Sequence, residues 1–279
     1  MKKSILFIAA AFMALSMSAQ DLGQATEMYN NAAGLIQADK AAAVSAFKEA
    51  LKAAEACEAD ADGQRDALID NCKTNIVNFT LSIAKDFLKD KEYDKAYDQL
   101  KLTLEEAALY NNEEVTAEVN TLIPTVYLAK GNQLLREKDA LGAIDAYQKA
   151  FDLDPNNGKA ALNLGQAYNM SGNAAAAEEN FKIAMNLGEE KAARKQLSKM
   201  YLKKANAAYK AGNFNQAYDA AMTSNDYDNN ANACKIAGNA CVKMNNKAVA
   251  IECFNMYLTI SPNAKDAAQI KETINILKK

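Results

Sequence analysis

Small and aromatic residues recur along this chain at helical spacing. Ala143, Tyr147 and Ala150 stand at i, i+4 and i+7, and Ala177, Phe181 and Ala184 repeat the pattern 34 residues later. That spacing puts all three on one face of a helix, leaving polar residues opposite. Upstream, Lys130-Gly131-Asn132 corresponds to Leu164-Gly165-Gln166 at the same offset of 34. Each unit is therefore predicted to hold two amphipathic helices joined by a short turn, at Lys138-Asp139 and at Gly172-Asn173. After about six extra residues a third unit runs from about Ser198 to Ala231, with Ala205, Gly212-Asn213-Phe214, Ala217 and Ala221. A fourth, Ala231 to Ala264, carries Gly238, Ala250, Phe254 and Ser261-Pro262.

This arrangement resembles the tetratricopeptide repeat family, in which a small residue at the eighth position of helix A packs against another at the twentieth, on helix B. Close helix approach requires small side chains there. The resemblance implies an all-α, right-handed superhelical solenoid of antiparallel helix pairs. With position one at Pro124, four repeats fill residues 124–264. Ala43, Phe47 and Ala50 keep the helix-B spacing, as do Tyr93 and Ala96, so residues 20–123 are read as degenerate hairpins of longer helices, over 21–59 and 64–110. Residues 265–279 are predicted to form an amphipathic capping helix with Ala268, Ile270, Ile274 and Leu277 on one side.

Residues 1–19 read as a secretory signal peptide: Lys2 and Lys3, an apolar run from Ile5 to Leu15, then Ser16, Ser18 and Ala19. The run is shorter than the ~18 to 20 apolar residues a membrane-spanning helix needs. Cleavage is expected after Ala19, giving a periplasmic or secreted chain that begins at Gln20 and does not insert in a membrane.

Composition agrees with helix and narrows the chemistry. Only 11 Gly and 3 Pro punctuate the chain while Ala supplies about a fifth of it, which favours helix over turns. There is no His and no Trp, which removes the usual acid/base of neutral pH and the commonest metal ligand. Neither a phosphate-binding glycine loop nor a nucleophile elbow occurs, so no enzyme activity and no cofactor are expected. The calcium-like run Glu58-Ala-Asp60-Ala-Asp62-Gly63 has Ile69 where the bidentate Glu belongs, and reads instead as a helix-capping loop. Five Cys in an exported chain leave Cys57 and Cys72, which flank that turn, as a candidate disulfide.

Charge points to the ligand. Of 32 basic and 35 acidic residues, removal of Lys2 and Lys3 leaves 30 against 35, a net charge of −5, so nucleic acid is not an expected partner. Yet the helix-A stretches 158–173, 192–212 and 231–246 carry Lys or Arg at nine positions and no Asp or Glu. In the family that this chain resembles, helices A line the concave groove, which implies a basic groove that binds an extended, acidic peptide or protein segment. The ninth helix-A position, often a ligand contact there, holds Asn132, Gln166, Asn206 and Asn239. A carboxylate-clamp subfamily implies Asn132, Asn163, Lys199 and Lys203 as contacts, although Leu128 stands where that clamp has a Lys. Lys210 and Lys235 complete the expected peptide-binding set. The function expected is a noncatalytic interaction scaffold of the cell envelope. The alternative is a carbohydrate- or cell-wall-binding helical module, disfavoured by the absence of Trp platforms.

Overall fold

The computed structural model describes residues 21–279; the expected signal segment lies outside them. Every regular element among the described residues is helical: α1 (Leu22–Leu35), α2 (Lys40–Glu55), α3 (Gln64–Lys89), α4 (Tyr93–Leu109), α5 (Glu113–Arg136), α6 (Ala140–Leu153), α7 (Gly158–Ser171), α8 (Ala174–Ala184), α9 (Glu190–Lys210), α10 (Phe214–Tyr227), α11 (Ala231–Lys243), α12 (Lys247–Ile260) and α13 (Ala267–Leu277). The chain divides at Ile123/Pro124, within α5, into two compact units. None of these helices is long and apolar enough to cross a membrane.

In the first unit, α1 packs on α2, α2 on α3 and α3 on α4. Asp21 and Asp39 cap α1 and α2, accepting from the backbone of Gly23 and Ala42 at 2.9 and 3.0 Å. The acidic loop does the same for α3: the Asp60 carboxylate accepts from the Gln64 and Arg65 backbone at 2.9 and 3.1 Å. The Arg65 amide is the main cause of an Asp60 carboxyl held below its usual value. Phe47 is fully buried between Ala43 and Ala50, with Phe79 stacked on it at 6.0 Å and Tyr29 tilted against it at 5.3 Å. Cys57 and Cys72 belong to this same apolar cluster, as free thiols rather than a bridge. Cys57 Sγ donates to the Ala53 carbonyl at 3.3 Å, and burial, aided by the Glu55 charge, pushes the Cys72 thiol up to about 11.

The second unit repeats one turn four times. Lys138, Gly172, Gly212 and Asn245 each have positive φ, at 66°, 88°, 79° and 58°. An Asx residue follows each of them, and its amide reaches back to the carbonyl five residues earlier: Asp139 to Leu134, Asn173 to Tyr168, Asn213 to Ala208 and Asn246 to Cys241. That left-handed closure satisfies the last carbonyls of the leading helix. Asp139, Asn173 and Asn246 then cap the following helix with their side chains.

Helix approach within each pair rests on a glycine and an aromatic ring sixteen residues apart. A Cβ on Gly131 would lie 2.5 Å from the Tyr147 ring, on Gly165 2.7 Å from Phe181, and on Gly238 2.5 Å from Phe254. All three rings are almost wholly buried. The third unit solves the same packing differently: Ala205 replaces the glycine and Ala221 the ring, and both are fully buried. Volume is exchanged between facing positions, as a close-packed interior requires.

The junction between the second and third repeats departs from the regular pattern in two ways. The second repeat ends in a kinked turn over Met185–Glu189, with Gly188 at φ 92°, and the extra residues that follow lengthen α9 to 21 residues. Gly158 is the counterpart of that turn, since a side chain there would meet the Leu187 carbonyl at 2.5 Å. Buried polar groups lock α9 to α10 and α11. Ser224 Oγ donates to the Ser198 carbonyl at 2.8 Å, and Asn230 Nδ2 donates to Ser198 Oγ at 3.3 Å.

α13 closes the unit by seating Ile270 and Ile274 against Tyr257, Phe254 and Cys234. The helix begins two residues later than the expected start at Lys265, and Ala267, not Ala268, is on its buried face, because Ala267 stands three and seven residues before Ile270 and Ile274 whereas Ala268 lies about 100° further round the helix. The Asp266 carboxylate accepts from Lys235 Nζ and the Tyr257 hydroxyl. Those bonds, Lys235 foremost, hold its carboxyl below the ordinary value. A carboxyl whose pKa is lower folded than unfolded stabilises fully above the unfolded value, ~3.9, and loses that contribution as pH falls through the folded one. Asp266→Asn is expected to reduce amide-exchange protection of α13 at pH 6, with the gap from wild type narrowing as pH falls below the ordinary carboxyl value, ~3.9. A gap independent of pH would show that the carboxylate's charge is not what matters.

Candidate functional site

α9 is the most basic element of the unit. Lys191, Arg194, Lys195, Lys199, Lys203, Lys204 and Lys210 face a single acid, Glu190, within it. Its apolar side is set by Ala193, Leu197 and Ala205, all fully buried. Lys199, Lys203, Asn206 and Lys210 fall at i, i+4, i+7 and i+11 on the opposite side, and all four are exposed. They form one polar stripe along roughly three turns, and no ion pair engages the three lysines among the described residues. Asn206 Nδ2 donates to the Leu202 carbonyl of its own helix at 3.0 Å, leaving its carbonyl oxygen outward.

The other expected contacts are placed differently. Asn132 Oδ1 accepts from the Tyr147 hydroxyl at 2.8 Å and from Asn163 Nδ2 at 3.3 Å. Two of the expected ligand contacts thus bond to each other, and the hub is tied to the ring that packs on Gly131. Burial, the leading cause, raises the Tyr147 hydroxyl to about 12, so it remains a donor. Gln166 and Asn239 are half-buried on α7 and α11. Lys235 is committed to Asp266 and lies 6.0 Å from the Tyr257 ring centroid, so its charge belongs to the junction with α13.

Beside the lysine stripe a cleft of about 430 Å³ opens between the start of α8 and the middle of α9. Ala174 and Ala175 contribute only methyl groups from α8, and Met200 and Ala207 face them from α9. Tyr201 also lines it, and Lys203 and Lys204 stand at its edge. The size is within the ~300 to 1,000 Å³ range of small-ligand clefts. Glu178, the acid of this cleft, is internally neutralised: Lys182 Nζ donates to it at 2.6 Å and the Tyr201 hydroxyl donates as well. Burial alone would raise the Glu178 carboxyl, but these two hydrogen bonds outweigh it and leave it below the usual value. Burial first, then Glu178, pushes the Tyr201 hydroxyl up to about 12. Tyr201 also stacks on Tyr227 at 5.8 Å, and Lys204 Nζ stands 5.6 Å from the Tyr201 centroid.

Residue types and repeat positions did not reveal Met200, Tyr201 and the alanines of α8 as neighbours of the lysines. The usable signal was the insertion before the third repeat, because it sets how far α9 extends along α8. Among the described residues no group of His, Cys, Asp or Glu is arranged to hold a metal ion.

No curated protein matches the chain. Among solved structures, the C-terminal part of a TPR repeat-containing protein from Cytophaga hutchinsonii is 14% identical, with TM-score 0.45, over 90% of this chain and 99% of that one. YrrB, a TPR protein with an unusual peptide-binding site, is 20% identical, with TM-score 0.39, over 77% of this chain and 100% of that one. MamA is 26% identical, with TM-score 0.37, over 55% of this chain and 80% of its own. Residues 134–184, from the end of α5 through α8, match the family model of the tetratricopeptide repeat.

Proposed function

We propose that the protein is a noncatalytic interaction scaffold of the cell envelope that holds an extended acidic peptide segment along α9. The carrying observation is the exposed stripe of Lys199, Lys203, Asn206 and Lys210. Three unpaired ammonium groups in a row attract carboxylates, and the free amide oxygen of Asn206 can accept from a peptide N–H. Asn132 and Asn163 act in this reading as packing groups, since they are bonded to each other and to Tyr147. Lys235 likewise serves the fold. The expected export signal at residues 1–19 supports a site of action in the periplasm or outside the cell.

Titration of labelled acidic and basic peptides by fluorescence anisotropy tests the reading. The double variant K199E/K203E is expected to weaken acidic-peptide binding about tenfold, and Asp219→Lys on α10 to leave it nearly unchanged. Salt should weaken binding as the screening length falls below ~10 Å above 0.1 M. Tighter binding of basic peptides, or equal sensitivity to Asp219→Lys, would show that the partner's sign or the face is wrong.

A further inference from the structure

We propose that the cleft between α8 and α9 is an anchor pocket for one aromatic side chain of the acidic partner segment. This proposal rests on the reading of α9 as an acidic-peptide surface and adds to it a second, chemically different contact.

The occupant follows from the cleft's construction. Its walls are mostly methyl groups, a thioether and a ring: Ala174 and Ala175 on one side, Met200, Tyr201 and Ala207 on the other, with Asn169 and Gly172 beside the start of α8. Ala174, Ala175 and Ala207 are exposed, so the space between the two walls is open to solvent. A planar ring suits such a slot, since thioethers and aromatic edges both contact rings favourably. Charge sets the rest of the partner. Lys203 belongs at once to the exposed stripe of α9 and to the rim of the cleft, and Lys204 stands beside it. The one acid, Glu178, is engaged by Lys182 and Tyr201, and Lys204 stands over the Tyr201 ring, so Lys203 is the rim lysine that remains to meet a carboxylate of the incoming segment. The fitting sequence is therefore an aromatic residue with Asp or Glu close on either side.

The chain contains no Trp, so a Trp in the peptide reports its own environment without background. Two acidic peptides, identical except for Trp or Ala at the central position, would be titrated against wild type and against Ala207→Phe, which fills the cleft from an exposed helical position. Circular dichroism would confirm that the variant retains its helices, and Ala175→Leu supplies an independent filling from α8. The Trp peptide is expected to bind wild type about tenfold more tightly than the Ala peptide, consistent with burial of one large side chain, and its emission to shift to the blue. In Ala207→Phe and Ala175→Leu the tenfold advantage and the blue shift should both vanish, while the Ala peptide binds as before.

Equal binding of the two peptides to wild type, with Trp emission unshifted, would overturn the anchor pocket and leave the acidic-peptide surface standing. A blue shift that survives both fillings would place the ring elsewhere and likewise overturn it. Absence of binding by either acidic peptide would overturn both statements. A basic Trp peptide that binds as tightly as the acidic one would remove the part of the proposal that concerns charge.

Discussion

Gly165→Ala is expected to destabilise the protein by about 1–3 kcal/mol, although alanine is the better helix former by ~1 kcal/mol. The sign makes the test informative. A methyl at this position would lie 2.7 and 2.8 Å from two atoms of the Phe181 ring and 3.2 Å from the Ala177 carbonyl oxygen. Phe181 has no exposed surface and is packed among Ala161, Ala184 and Leu197, so the ring has nowhere to retreat. α7 and α8 would have to separate, at a cost typical of an overpacked core. The same substitution in a Phe181→Leu background should cost clearly less, because a smaller side chain yields the space; a thermal or denaturant double-mutant cycle reads the coupling. The native Ala205 and Ala221 pair shows that alanine is tolerated at this place when the facing residue is small. A melting temperature unchanged or raised by Gly165→Ala would mean that helix approach is not set by this contact.

Removal of residues 265–279 should have the other large effect. α13 buries Ile270 and Ile274 on Tyr257 and Phe254, and Asp266 joins Lys235 to Tyr257 just before it. Burial of two isoleucines contributes roughly 3 kcal/mol or more, and its loss would leave an apolar end on the last helix pair. Repeat arrays are stabilised mainly by neighbour contacts, so the damage should be local: lower amide-exchange protection in α11 and α12, near-native protection in α7 and α8, and a tendency to associate seen by light scattering. Unchanged protection in α11 and α12 would show that α13 does not act as a cap.

Glycines, aromatic residues and Asx turns are legible in the sequence because each marks a local necessity. Gly165 and Phe181 can coexist only where two helices cross closely, and Lys138-Asp139 or Gly172-Asn173 can only end one helix and begin another. The 34-residue offset carried the helix pairs of residues 124–191, and the apolar spacing of Ile270, Ile274 and Leu277 carried the last helix. The start of α13 lies at Ala267 rather than Lys265, and Ala267 holds the buried place expected for Ala268, since the i, i+3, i+7 spacing to Ile270 and Ile274 belongs to Ala267.

The candidate site was legible in part. That Lys199, Lys203, Asn206 and Lys210 share a face follows from helical period alone once α9 is a helix. That Asn132 is bonded to Asn163 and Tyr147, and Lys235 to Asp266, does not, because those partners lie 15 to 31 residues away and meet only when helices pack. An exposed amide and a committed one look alike in a sequence. The cleft is the same case: Ala174, Ala175, Met200 and Ala207 are ordinary helix formers, and whether alanines facing one another across two helices leave a slot or close it depends on how the turn at Gly188 sets α9 beside α8. Periodicity along the chain determined the elements and the faces they present; which polar groups remain available to a partner, and where an unfilled space remains beside them, was decided by packing between helices, where side-chain volumes and hydrogen-bond partners distant in sequence compete for the same space.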